Sequence, residues 1–392
     1  MPHSLFSWRR WWPLALLGGL LLLLALWSRP RRPNSTAEVA LPARQPAAAP
    51  AAFGPAPGPH RAPGPAAFDS TRLRGVSWVG GDSITAAEME PLRRARVTWI
   101  AQMPFGWQAG ANEPLIRMST ARRSGRGGYW GESDAGLLHT ARLAHRHGIR
   151  TLMKPHLWVR GNGSWPGDIN MTSEADWDAW FASYARYILH YAQVAEQGKF
   201  DALCIGTELL HPTGPAHEKA WRRLIRQIRK VYHGPLTYAA NWSGEYRQIR
   251  FWDALDYVGI QAYFPLSPAA RPSLDTLLRG WQPHLRELAA WQKKIKKPVV
   301  FTEVGYKATP DAAARPWEWP ARTALPTAPD EATQARCYEA LFRACWGQPW
   351  LKGVFIWKWY PGLAADGPAR RHADFTPQHK PAEAVLARWY GQ

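Results

Sequence analysis

From residue 68 onward, short apolar runs alternate with longer amphipathic segments, the texture expected of repeated strand–helix units. Eight runs qualify as strands: 75–79, 98–103, 150–155, 202–207, 236–240, 257–262, 298–302 and 353–357. Helical patterns over 135–147, 174–197, 218–232, 273–294 and 330–347 lie between most of them. Gly148 and Gly198 sit where helix C-caps are expected. Eight strands with crossover helices in about 320 residues predict an α/β fold, a single (β/α)8 TIM barrel with a few enlarged loops. The alternative, a doubly wound open sheet, would carry a Gly-rich phosphate loop after its first strand. Gly80-Gly81-Asp82 is too short for that and reads as a turn.

Upstream the texture differs. The run 11–27 is uncharged and mostly Leu, with Arg9 and Arg10 before it and Arg29, Arg31 and Arg32 after it. It is at the short end for a bilayer span. Residues 1–28 therefore read as a signal anchor, with a cleaved signal peptide as the rival. No small-residue cleavage site follows closely, and no cysteine stands near to carry a lipid. Residues 29–68 form a Pro/Ala/Gly-rich linker that has too little apolar surface to fold and that its prolines keep extended. Residues 69–392 form the folded domain. This organisation predicts a monomer in the cell envelope, membrane-anchored with its barrel outside the cytoplasm; a secreted protein is the alternative.

The formal charge is +19, with Lys+Arg 49 against Asp+Glu 30. The excess recurs as short clusters: Arg93, Arg94 and Arg96; Arg222, Arg223, Arg226, Arg229 and Lys230; Lys293, Lys294, Lys296 and Lys297. Each falls on an exposed helix or its end, so solvated helix faces are the first reading and an anionic lipid or envelope polymer the second. No zinc-finger, RNA-binding or helix-turn-helix pattern accompanies them, and no nucleic-acid partner is expected. Cys204, Cys337 and Cys345 are too few and too odd for a disulfide framework, and none has metal-ligand spacing. No metal and no cofactor is expected. The 24 Trp residues mostly suit a core, but a flat indole also fits the C–H face of a pyranose.

A barrel of this type carries its active site at the C-terminal ends of the strands. The predicted strands end, in order, at Ser77-Trp78; at Gln102, with Trp107 beyond; at Lys154-Pro155-His156-Leu157-Trp158; at Thr207-Glu208; at Asn241-Trp242; at Gln261-Ala262-Tyr263; at Thr302-Glu303; and at Trp357-Lys358-Trp359. Two strands thus deliver a carboxylate straight after an apolar run. A buried carboxylate is costly without a task or a partner. Either Glu alone could be a buried ion pair to Lys154 or an Arg. Both together suit glycoside hydrolysis, in which one carboxyl protonates the leaving oxygen and the other attacks or stabilises the sugar cation. The fourth and seventh strands face each other across such a barrel, so the two carboxyls can approach to about 5 Å, the retaining separation.

The strand-four Glu, strand-seven Glu, strand-six Tyr and strand-eight Trp resemble the clan A glycoside hydrolases, and within that clan most resemble glycoside hydrolase family 113, the β-mannanase family. The stretches that carry the likeness are Thr151-Leu152-Met153-Lys154-Pro155-His156, Ile205-Gly206-Thr207-Glu208, Val300-Phe301-Thr302-Glu303-Val304-Gly305-Tyr306 and the tail from Asp374 to Ala382. The resemblance implies retaining hydrolysis of a β-linked, mannan-like polysaccharide or oligosaccharide through a covalent glycosyl-enzyme. Glu208 would be the general acid/base and Glu303 the nucleophile. Tyr263 would hold the nucleophile, and Trp357 would floor the reacting sugar. Many clan A families have Asn before the acid/base; here Thr207 stands there, which leaves the sugar 2-OH contact to Asn241 or His156. Lys154, His156 and Tyr263 are the candidate tuners of the two carboxyls. Trp78, Trp107, Trp158, Trp165 and Trp242 are candidates to stack sugars, the last four from loops after strands. A catalytically weak barrel acting as a carbohydrate-binding envelope protein is the alternative, disfavoured by the presence of both Glu residues. A metal-dependent hydrolase would need His/Asp clusters, and only His156 stands at a strand end.

Overall fold

A computed structural model describes residues 72–118, 129–161, 165–319, 329–366 and 373–392. The expectations for residues 1–28 and 29–68 lie outside these. Among the described residues no helix is long and apolar enough to cross a membrane.

Among the described residues eleven strands run in chain order: β1 (Leu73–Trp78), β2 (Trp99–Gln102), β3 (Phe105–Gln108), β4 (Ile116–Met118), β5 (Arg150–Met153), β6 (His156–Val159), β7 (Ala202–Thr207), β8 (Leu236–Asn241), β9 (Val258–Gln261), β10 (Val299–Val304) and β11 (Leu351–Trp359). Eight of them, β1, β2, β5, β7, β8, β9, β10 and β11, close into one parallel barrel in which β11 returns to β1. These are the eight strands expected, within a few residues at each end, and the closed ring excludes the open sheet.

The barrel interior is packed with side chains, including Trp99, Leu152, Cys204, Tyr257, Val300 and Phe355. A second, larger core lies between strands and helices, and it absorbs the fully buried Trp180, Trp221, Trp252, Trp281 and Trp359. Packing is therefore the work of many of the tryptophans. The five expected helices are Asp134–Arg146, Glu174–Gln197, Glu218–Arg229, Leu274–Ile295 and Glu331–Cys345. Ser133, Ser173, Ser273 and Asp330 start four of them, each side chain accepting a backbone N–H of the first turn. Pro381–Trp389 is a further helix, too short for its periodicity to stand out. Gly148 takes the left-handed conformation after its helix as expected, whereas Gly198 stays right-handed and Lys199 turns the chain at φ 52°.

One feature departs from the expected barrel. β3, β4 and β6 form a separate three-stranded sheet beyond the exits of β2 and β5. β3 and β6 pair in parallel with Phe105 opposite His156 and Trp107 opposite Trp158. Trp107 and Trp158 thus lie on strands, not in loops. The alternation Phe-Gly-Trp-Gln beside His-Leu-Trp-Val carries the strand signal, but each run is only four residues long and follows a proline. On the buried face Gln108 Oε1 accepts from the Trp180 indole at 3.0 Å, and Gly106 leaves room for the Tyr187 ring, which a Cβ would meet at 2.7 Å. The other face presents Phe105, Trp107, His156 and Trp158, since alternate residues of a strand share a side.

Candidate active site

Both strands that end in glutamate lose register with a neighbour at the mouth. β7 slips against β8 between Cys204 and Thr207, and β10 slips against β9 between Phe301 and Glu303. Such irregularities re-aim side chains at barrel rims. Glu208 itself sits at φ 52°, a left-handed conformation that costs a non-glycine residue roughly 1 kcal/mol or more. Two bonds to β8 hold it there: Glu208 N donates to Ala239 O at 2.9 Å, and Leu209 N donates to the Tyr238 hydroxyl at 2.7 Å.

The Glu208 carboxyl meets only neutral donors. Trp165 Nε1 donates to Oε2 at 2.9 Å, and Asn241 Nδ2 donates to Oε1 at 2.7 Å. Burial raises its pKa to about 7, the Glu303 charge adds to the rise, and the Trp165 and Asn241 bonds oppose it. Glu303, 3% exposed, has other company. Lys154 Nζ, fully buried, donates to Oε1 and also to Thr302 O at 3.2 Å. The Tyr263 hydroxyl donates to Oε2 at 2.8 Å. Burial first, then the Glu303 and Glu208 charges, push the Tyr263 phenol well above its ordinary value, so it stays protonated and remains a donor.

His156 Nε2 lies 3.6 Å from Glu303 Oε1, too far for a hydrogen bond. Burial and the Lys154 charge hold its pKa well below the ordinary value, so the ring is neutral there. It stacks near Trp357, centroids 6.5 Å apart, and Lys154 Nζ stands 5.9 Å over that same indole. Trp357 is joined to Lys358 by a cis peptide. Thr207 is 6% exposed, and its hydroxyl meets no hydrogen-bond partner.

The aromatic candidates divide. Trp158 is 52% exposed beside Phe105, and Trp242 pairs with Trp317, centroids 5.2 Å apart. Trp107 is half-buried on the same sheet face as Trp158. Trp78 is 2% exposed within the main core, which corrects its expected part in the cleft, because a ring so enclosed has no open face for a sugar. Two exposed rings escaped the sequence reading: Trp317, and Trp319, which lies near Trp357 with Lys358 Nζ 4.2 Å over its ring. They stand in a long irregular loop after β10, where no periodicity marks them.

A third carboxyl also escaped it. Glu245, fully buried, accepts from Tyr238 OH at 2.6 Å, Asn241 N at 2.7 Å and Thr213 Oγ1 at 2.9 Å. Burial raises its pKa to about 7 against the pull of these bonds. Through Tyr238 it reaches the main chain at Leu209, and through Asn241 it reaches the Glu208 carboxyl. A Glu that opens a one-turn helix, Glu245–Gln248, after β8 carries no periodic signal, and only the folded chain places it behind Glu208. Among the described residues no cluster of His, Cys, Asp and Glu could hold a metal ion.

Comparison with known proteins bears on the family and the fold. Residues 76–380 match the model of glycoside hydrolase family 113. A solved family 113 β-1,4-mannanase complex superimposes with TM-score 0.69 at 25% identity, covering 82% of this chain and 99% of its own. The family 113 β-mannanase of Alicyclobacillus acidocaldarius, solved with ManMIm, gives TM-score 0.68 at 30% identity, covering 83% and 99%. Nearly all of each mannanase is thus matched. A β-glucuronidase of Ruminococcus gnavus shares the fold at 12% identity and TM-score 0.52, covering 81% of this chain and 49% of its own. No curated protein matches the chain.

Proposed function

The chain belongs to glycoside hydrolase family 113, and from that membership we propose that this glycoside hydrolase cleaves β-linked mannan with retention of configuration, Glu208 acting as general acid/base and Glu303 as nucleophile. The observation that carries the reading is the contrast between two buried carboxyls at one barrel mouth. Glu208 keeps its proton to about pH 7, while Glu303 has each oxygen engaged by a donor, Lys154 on one and Tyr263 on the other.

In the first step a Glu303 oxygen attacks the anomeric carbon as the glycosidic bond breaks, and Glu208 transfers its proton to the departing oxygen. The product is a β-linked oligosaccharide and a covalent glycosyl-enzyme. In the second step the ionised Glu208 takes a proton from water, the hydroxide oxygen bonds to the anomeric carbon, and Glu303 leaves as carboxylate. Asn241 and Trp165 aim the Glu208 carboxyl. His156 faces the same oxygen of Glu303 as Lys154 from a distance that leaves its Nε2 free for a sugar hydroxyl, a support for its place as the 2-OH contact. Trp357 beneath, and Trp158, Trp242, Trp317 and Trp319 around the mouth, offer indole faces to a chain of sugars. The mannan preference rests on the two mannanases; the run 11–27 supports a tether to the cell envelope.

The test is hydrolysis of mannan, glucomannan and β-glucan by residues 69–392, with the anomer of the first product read by NMR. The expected result is mannan cleavage that releases the β-anomer first. Release of the α-anomer would overturn the mechanism, and inertness on mannan beside cleavage of β-glucan would overturn the substrate.

A further inference from the structure

The barrel face opposite the mouth gathers cations that form no ion pair among the described residues. Helices of a parallel barrel run against its strands, so helix C-termini and strand N-termini share this face. Arg96 follows the helix Met89–Arg94, Lys199 follows Glu174–Gln197 and Lys230 follows Glu218–Arg229. Lys293 and Lys294 end Leu274–Ile295, and Lys296 follows it. All six are exposed, and none is in an ion pair among the described residues. Of the carboxylates at this level, Asp253 pairs with Arg222 at 2.8 Å and Asp256 with Arg229 at 2.6 Å, while Glu196 and Asp201 meet the imidazoles of His233 and His145 at 2.9 Å and 3.0 Å.

The segments are contiguous. Tyr232 OH donates to Phe200 O at 2.7 Å, which joins the turn of Lys230 to that of Lys199. Arg229 reaches Ala254 O at 3.4 Å and Lys297 reaches Asp253 O at 3.1 Å, which joins the same turn to the lysines of Leu274–Ile295.

Helix dipoles favour cations at C-termini, and that accounts for part of the pattern. It does not account for Arg96, Lys199 and Lys296. These occupy left-handed positions, at φ 57°, 52° and 57°, where helices ordinarily place glycine. Three times the chain keeps a basic side chain where a backbone argument asks for none. On the mouth side the first turns of helices carry acids instead: Asp134, Glu174, Asp176, Glu218, Asp275 and Glu331. β1 begins on the basic face, where Arg72 donates to Gln348 O at 3.3 Å, so residues 1–71, with their apolar run 11–27, join the barrel there.

We propose that this basic face docks on an anionic phospholipid surface and holds the barrel mouth away from the bilayer. A lipid surface is favoured over a soluble anionic polymer because the chain leading to the apolar run leaves from the same face. Each lysine near such a surface strengthens binding about fivefold, an effect that salt screens.

The test is co-sedimentation of residues 69–392 with phosphatidylcholine vesicles that contain or lack phosphatidylglycerol, over a series of salt concentrations. The expected result is retention by the anionic vesicles alone, lost as salt rises. A variant with Lys230→Gln, Lys293→Gln, Lys294→Gln and Lys296→Gln should bind about six-hundredfold more weakly. Arg117→Gln with Arg160→Gln, on the mouth side, should bind like wild type. Equal binding of wild type and the four-lysine variant would overturn the proposal. So would retention by neutral vesicles, or tighter binding to soluble polygalacturonate than to anionic vesicles. The assay reads no catalysis, so it stands or falls separately from the hydrolytic mechanism, and a thermal melt of the variant confirms that it is folded.

Discussion

The exits of β7 and β10 carry the same residue type in opposite surroundings. Glu208 is met by an indole N–H and an amide N–H, neutral donors too weak to offset burial, and its pKa rises to about 7. Glu303 is met by a buried ammonium and by a phenol that keeps its proton. Two carboxyls that look alike in the chain become an acid and a nucleophile by the donors around them, the division that two-carboxylate hydrolysis requires.

The sharpest way to break this comparison is to amidate each side chain in turn. Glu303→Gln should lower kcat by on the order of 10⁴-fold or more on every substrate, because no covalent intermediate forms. Glu208→Gln should lower kcat on mannan by about 10²- to 10⁴-fold. On an aryl β-mannoside, whose leaving group needs no proton, Glu208→Gln should retain the first step and show a burst of phenol. A burst from Glu303→Gln, or none from Glu208→Gln, would reverse or remove the assignment. Next, Tyr263→Phe leaves one Glu303 oxygen without its donor and should cost about ten- to a hundredfold in kcat.

Glu245→Gln probes the carboxyl behind Glu208. Burial holds the folded-state pKa of Glu245 above its unfolded value, so the stability it contributes is full below about pH 4.5 and is lost as pH rises through about 7. Glutamine cannot ionise, so the fall in stability between pH 5 and pH 8 should be missing from the variant in denaturant melts, while its NH2, which cannot accept from Asn241 N as the carboxyl does, lowers its stability at acid pH. Its kcat should fall by about tenfold as Asn241 and the Leu209 main chain lose their common anchor. The smallest effect belongs to Trp165. Its indole bond lowers the Glu208 pKa, so Trp165→Phe should move the alkaline limb of the kcat/KM profile, set near pH 7 in wild type, to higher pH. A shift to lower pH would show that Trp165 does not act through Glu208.

The helix ends of the barrel repeat the lesson on a larger scale. Its mouth and its back are built from the same helices, acidic at their starts and basic at their ends, yet the back keeps basic residues even in left-handed turns. The sequence clusters at Arg93–Arg96, Arg222–Lys230 and Lys293–Lys297 read separately as solvated helix ends; only the closed ring brings them to one face.

What the sequence determined alone was whatever depends on local periodicity. The eight buried strands, their intervening helices and the two carboxylates after Thr207 and Thr302 were all legible, because a strand covered on both sides reads as an unbroken apolar run and a polar residue at its end is conspicuous. What tertiary structure decided was whatever depends on contacts between distant segments. The side sheet of β3, β4 and β6 turned supposed loop residues Trp107 and Trp158 into one face with His156. Trp78 went into the core, Trp165 crossed forty-three positions of chain to reach Glu208, and Glu245 came to lie behind it. Local patterns specify which surface each element buries, but hydrogen-bond partners and pKa shifts are set by distances of a few ångströms between groups that no sequence spacing relates.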